Sequence, residues 1–140
     1  MPRVRVVLDT NILISALITK GTPPDQLYQA WLQDDFQLVT SDAQMEEVSD
    51  VLARPRLRRY VDPEEAASMV AAINRRATVL RALPAVKRSP DPKDDDILAT
   101  AVAGDADLVV SGDRADMLAL GHVEGIPIRS ARESLAIVLA

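Results

Sequence analysis

The chain has 140 residues, 48% of them hydrophobic, and a formal net charge of −5. That length can bury a core, and we expect one domain spanning residues 1–140. The absence of Cys excludes disulfides, thiolate metal sites and a Cys nucleophile, and a single His excludes a His-rich zinc centre. One Trp, two Tyr and one Phe leave the core to aliphatic side chains. No apolar run is long enough to span a bilayer, and no charged segment followed by an apolar signal stretch opens the chain. The expectation is a soluble, cytoplasmic protein with no membrane partner.

The charge is unevenly spread. Residues 1–90 hold 12 Lys/Arg against 11 Asp/Glu, and residues 91–140 hold 4 against 10. The acidity is therefore local. A globally acidic protein is a poor nonspecific ligand for nucleic acid. A local acidic cluster that holds divalent cations, flanked by arginines, still suits a polyanion.

In chain order, Val4 to Leu8 is a short, β-branched apolar run that suits a strand buried on both faces, and it ends abruptly in Asp9-Thr10-Asn11. Ile12, Leu13, Ala16 and Leu17 then recur at helical spacing until Gly21-Thr22-Pro23-Pro24 breaks the pattern. A second helix is expected from about Pro24 to Gln33, with Leu27, Ala30 and Trp31 inward. Phe36 to Thr40 reads as the second strand. Ser41 with Gln44 three residues on is a capping-box pattern for a helix from about Asp42 to Ala53. Met45, Val48, Val51 and Leu52 form its apolar face, with Glu47 on the flank between core and solvent.

Arg54 to Arg59 is a compact basic stretch. Asp62-Pro63-Glu64-Glu65 starts a longer helix that is expected to end near Leu83-Pro84. Asp91-Pro92-Lys93 opens the next, in which Asp94 and Asp95 lie over or beside the apolar face while Asp96 points outward. Asp107 to Val110 is another strand, ending in Ser111-Gly112-Asp113. Gly125 to Ile128 is a short last strand, where Pro127 suits an edge position. Ser130-Ala131-Arg132-Glu133 is a capping box for the final helix. Alternating strands and helices predict an α/β fold: three α/β/α layers around a central, mostly parallel sheet, Rossmann-like in plan.

The carboxyl ends of strands are where ligands bind in such sheets. Asp9, Asp94 or Asp95, and Asp113 follow or face the same edge, and Glu47 can approach from a helix. Carboxylates crowded into one cleft raise one another's pKa unless a cation sits among them. An acid cluster without His or Cys suits hard cations such as Mg²⁺ and Mn²⁺. Such ions activate water and stabilise a leaving oxygen in phosphodiester cleavage. Thr10, Asn11 and Ser111 are placed to orient a ligand, water or phosphate.

Val-Leu-Asp-Thr-Asn at the first strand end resembles the opening signature of PIN domains, and the match continues in order. Ser41 to Leu52 with Glu47 resembles their second acidic segment. Arg54-Pro55-Arg56-Leu57 follows as in the subfamily of toxin components of toxin–antitoxin systems. Asp91 to Ala99 resembles the third segment, Leu108 to Asp113 the fourth, and Ile126 to Ile128 the terminal strand. The resemblance covers nearly the whole chain. It implies a PIN-like fold and a metal-dependent ribonuclease, a phosphodiester hydrolase using Mg²⁺ or Mn²⁺. It carries Asp9, Glu47, Asp95 and Asp113 to the catalytic and metal-binding positions. Counting back from Ala99 favours Asp95 as the third acid, with Asp94 its rival as a metal ligand. Thr10, Asn11, Ser111, Arg54 and Arg56 are the residues expected to orient substrate. Single-stranded RNA is the implied substrate, an antitoxin protein the implied partner and a homodimer a candidate assembly. Ser111 stands where the family usually has Thr, and one extra residue precedes Asp116 relative to a common Gly-Asp-x-Asp pattern.

Each segment also has a plain reading. Asp9-Thr10-Asn11 are good helix caps, Asp94 to Asp96 favour the positive end of a helix dipole, and Ser111-Gly112-Asp113 suits a turn. The plain readings predict caps anywhere; the functional one predicts carboxylates gathered at one end of one sheet. The competing function is a catalytically silent PIN-fold module that binds RNA or protein.

Overall fold

The computed structural model describes residues 3–89 and 91–140. In chain order it contains β1 (Arg5–Leu8), α1 (Thr10–Ile18), α2 (Pro23–Leu32), β2 (Gln37–Ser41), α3 (Asp42–Leu52), a 3₁₀ turn (Pro55–Leu57) and α4 (Pro63–Arg76). These are followed by β3 (Thr78–Leu80), α5 (Pro92–Ala103), β4 (Leu108–Val110), α6 (Met117–Leu120), β5 (His122–Val123), β6 (Ile126–Arg129) and α7 (Ala131–Val138). The sheet order is β3-β2-β1-β4-β6-β5. Every pairing is parallel except the antiparallel β5–β6 edge.

The two-residue period of a strand sorts the sheet's side chains onto its two faces. Val6, Leu8, Leu38, Leu108 and Val110 join one apolar cluster with residues of α1, α2, α3, α4 and α7. Val7, Val39, Val109 and Ile128 join the other, with residues of α5 and α6. Both faces are covered, which explains why the strands read as continuous apolar runs rather than alternating ones. The chain winds from β1 outward to β2 and β3, then crosses back to β4 on the other side of β1. The direction of winding therefore reverses between β1 and β4, and the crevice at their carboxyl ends is the position where α/β sheets hold ligands.

Two expectations are corrected. The helix expected to reach Leu83 ends at Arg76, and Thr78 to Leu80 pairs with Val39 to Ser41 as an edge strand. Ala77 already has extended dihedrals (φ −79°, ψ 159°), and the β-branched Thr78 and Val79 gain more from the open edge of β2 than from another helical turn. Pro127 does not sit on the outermost strand, because β5 covers β6. The sheet tolerates it because β5 is only two residues long, and the next donor, the Ile128 N–H, bonds the Gly121 carbonyl at 2.9 Å.

The end of α5 is pressed onto β2. A Cβ on Gly104 would meet Val39 Cγ1 at 2.5 Å and Leu80 Cδ1 at 3.3 Å. Gly104→Ala is therefore expected to lower stability by about 1–3 kcal/mol through overpacking. Urea denaturation would register this as a lower midpoint with an unchanged slope.

Candidate metal centre

Asp9 follows β1 directly, and its N–H donates to the Val110 carbonyl at 2.9 Å, so its backbone is welded to the end of β4. It occupies the N-cap position of α1, yet its side chain makes no capping hydrogen bond. Instead its Oδ2 accepts a hydrogen bond from the Ser111 hydroxyl at 2.9 Å. Ser111 Oγ in turn accepts the Asp113 N–H at 3.1 Å. One hydroxyl, fully buried, thus joins the acid after β1 to the acid after β4.

Asp113 Oδ1 accepts the N–H groups of Ala115 and Asp116, each at 3.1 Å. This side-chain-to-backbone turn folds the segment back on itself and swings Asp116 round. Carboxylate oxygens of Asp94, Asp113 and Asp116 lie within 4.8 Å of one another. Asp116 was not assigned a role from sequence. The extra residue before it was visible, but only the turn made by Asp113 converts that offset into proximity.

The start of α5 separates three neighbouring acids. Asp91 caps the helix, accepting the Lys93 N–H at 3.0 Å. Asp95 Oδ1 accepts the N–H groups of Arg88 and Ser89 at 2.8 and 2.9 Å, so it ties down the incoming loop. Asp94 is buried and accepts the Ser89 hydroxyl at 3.0 Å. The preference for Asp95 over Asp94 is thus not matched by the geometry: Asp94 meets Asp113 and Asp116, while Asp95 faces the loop. Adjacent helical residues diverge by about 100°, and the loop's unpaired amides decide which of the two is claimed.

Glu47 is half-buried on the flank of α3 and accepts the hydroxyl proton of Thr10, the residue after Asp9. Asn11 is exposed in the first turn of α1. Arg54 and Arg56 are exposed around the 3₁₀ turn, beyond the C-terminal end of α3. No contact joins either arginine to the acids among the described residues.

The cluster holds its charge uneasily. Burial, with the Asp94 and Glu47 charges behind it, pushes the Asp9 carboxyl up from 3.8 to about 6, against the opposing pull of the Ser111 hydrogen bond. Asp94 is also pushed up, by burial first and then by Asp91, Asp113 and Asp116, while Ser89 works the other way. None of the ion pairs among the described residues involves Asp9, Asp94, Asp113 or Asp116. Oxygen-only donors with uncompensated negative charge fit a hard divalent cation.

A PIN-domain family model matches residues 5–115. The chain belongs to the PIN-domain family. Among solved structures, this PIN domain is similar to the Mycobacterium tuberculosis toxin VapC20, described as cleaving the Sarcin-Ricin loop. The TM-score is 0.55 at 21% identity, over 87% of this chain and 99% of the other. The likeness shows a shared fold. No curated protein sequence matches the chain.

A carboxyl whose pKa is higher in the folded than in the unfolded protein binds protons more tightly when folded, so its contribution to stability falls as pH rises through that interval. Metal-free protein should therefore lose roughly 2–3 kcal/mol from Asp9 between pH 4 and pH 6. Asp9→Asn, which still accepts from Ser111, should flatten that part of the pH–stability curve. Thermal melts of chelator-treated protein across that range check this; an unaltered curve in the variant would contradict it.

Proposed function

We propose that this PIN domain is a metal-dependent endoribonuclease that cleaves single-stranded RNA and serves as the toxin of a toxin–antitoxin pair. The observation that carries the reading is the gathering of Asp9, Asp94, Asp113 and Asp116 in the crevice between β1 and β4 of a PIN-family chain. The VapC20 likeness supports the toxin part of it. A bound Mg²⁺ or Mn²⁺ would supply water activation and neutralise charge on the scissile phosphate.

The chain's own residues account for the rest. Half-buried Asp113 and Asp116 form the outer edge of the ion site, and buried Asp94 and Asp9 form its wall. Ser111 holds Asp9 and Asp113 in fixed relation. Thr10 fixes Glu47 beside Asp9, where its carboxylate can accept a proton from a water or orient one. Exposed Asn11, in the first turn of α1, offers an amide to a phosphate or ribose oxygen, and the helix start favours the approaching anion. Arg54 and Arg56 are reserved for more distant phosphates or for an acidic segment of an antitoxin. No helix among the described residues is long and apolar enough to cross a membrane, in keeping with action on cytoplasmic RNA. Self-association into a homodimer belongs to the same reading.

Paired substitutions at the start of α5 test the assignment. Asp94→Asn should reduce Mn²⁺ affinity and RNA cleavage by about 100-fold or more, because it removes one of the clustered carboxylates. Asp95→Asn should keep cleavage within a few-fold and cost only about 1 kcal/mol of stability, through weaker hydrogen bonds to the loop. Calorimetric Mn²⁺ titration and a cleavage assay on labelled single-stranded RNA check both. RNA binding without turnover in the parent protein would favour the silent module instead.

A further inference from the structure

The ladder between β1 and β2 records Arg5 opposite Gln37 and Val6 opposite Leu38, and stops there. By the same register Leu8 would face Thr40, but the ladder makes no pairing there. The break in the ladder lies just before Asp9, the residue after Leu8. A ladder that stops leaves backbone groups without partners in the interior, which is costly unless something else satisfies them.

Gln44, in the first turn of α3 and only 2% exposed, bridges the break. Its Nε2 donates to the Leu8 carbonyl, and its Oε1 accepts the Thr40 hydroxyl proton at 2.6 Å. One amide therefore spans the two residues that the ladder no longer pairs. Its orientation is set chemically, since only the nitrogen can donate to Leu8 and only the oxygen can accept from Thr40. The Gln44 N–H is also held, bonding Ser41 Oγ at 3.2 Å.

Ser41 Oγ lies 2.9 Å from Thr100 Oγ1, which in turn donates to the Asp96 carbonyl at 2.7 Å. With the Thr100 proton used there, the Ser41 proton goes to Thr100 and its oxygen accepts from Gln44. The hydroxyl protons of Thr40, Ser41 and Thr100 thus each have one acceptor. The network connects the end of β1, which Asp9 follows, to α3, which carries Glu47, and to α5, which carries Asp94.

We infer that Gln44 is a positioning residue: it braces the break in the β1–β2 ladder and so fixes the strand end from which Asp9 projects. It touches neither metal nor substrate. Its effect on metal uptake rests on the metal-centre reading, but its hold on the strand end does not.

Gln44→Met keeps the side chain's bulk and removes both amide contacts. In native-state hydrogen exchange of metal-free protein, the amides of Asp9 and Thr10 should exchange about 10-fold faster or more, while those of Val7 and Val109 keep their parent rates. Mn²⁺ affinity should fall roughly 10–100-fold, with KM for RNA little changed and kcat reduced. Thr40→Val should reproduce part of the loss, and Thr40→Ser, which keeps the hydroxyl, should restore parent behaviour.

Unchanged exchange at Asp9 in Gln44→Met overturns the inference. So does acceleration spread evenly over Val7 and Val109, which would mark a merely structural role, or undiminished Mn²⁺ affinity where the parent binds the ion. Selective fraying in a parent protein that takes up no Mn²⁺ would uphold Gln44's hold on Asp9 and reject the metal centre. Should Gln44→Met fail to fold, the Thr40 pair carries the same comparison.

Discussion

Carboxylates that repel one another are held at one place because the backbone gives them no alternative. The Asp9 N–H is bonded to the end of β4, and the Ser111 hydroxyl bridges Asp9 to Asp113. Asp113 then uses one of its own oxygens to fold the next residues back, which brings in Asp116. Burial first, and then the neighbouring carboxylates, push the Asp9 and Asp94 carboxyls up. No Lys or Arg among the described residues forms an ion pair with these four acids.

The surrounding structure absorbs the cost through apolar packing and complete hydrogen bonding. No buried side-chain nitrogen or oxygen among the described residues lacks a partner. That includes Gln44 and Thr100, which sit in otherwise apolar surroundings, where a half-satisfied network would destabilise more than an aliphatic core. The break in the β1–β2 ladder beside Asp9 belongs to the same arrangement. A continuous ladder to Thr40 would satisfy the backbone without Gln44, whereas the break gives α3 a way to grip the strand end.

The charge distribution agrees with this division. The first 90 residues are nearly neutral, and their ion pairs are largely at the surface, such as Lys20–Glu65 at 2.9 Å and Arg76–Asp34 at 3.0 Å. Pairs so exposed contribute little to stability. The acidic excess belongs to residues 91–140, where α5 and the segment after β4 supply three of the four clustered acids. The negative field of the cluster is therefore built into two short segments and is not a property of the surface at large.

Much of this was legible in the sequence. Buried parallel strands announce themselves as β-branched apolar runs, so β1, β2, β4 and their carboxyl ends could be placed, and with them Asp9, Ser111 and Asp113. Helix starts were equally plain at Ser41, Asp62, Asp91 and Ser130, because capping is a local affair between a side chain and amides two or three residues away. What the tertiary structure decided was everything that depended on a distant partner. Thr78 to Leu80 became a strand because β2 offered an open edge. Asp94 rather than Asp95 entered the cluster because the loop at Arg88 and Ser89 bonded the other carboxylate. Asp116 joined because Asp113 bent the chain, and Gln44 became more than a helix-cap residue because Leu8 and Thr40 were left unpaired in front of it. Local chemistry sets which groups are available; only the meeting of remote segments sets which of them are already taken.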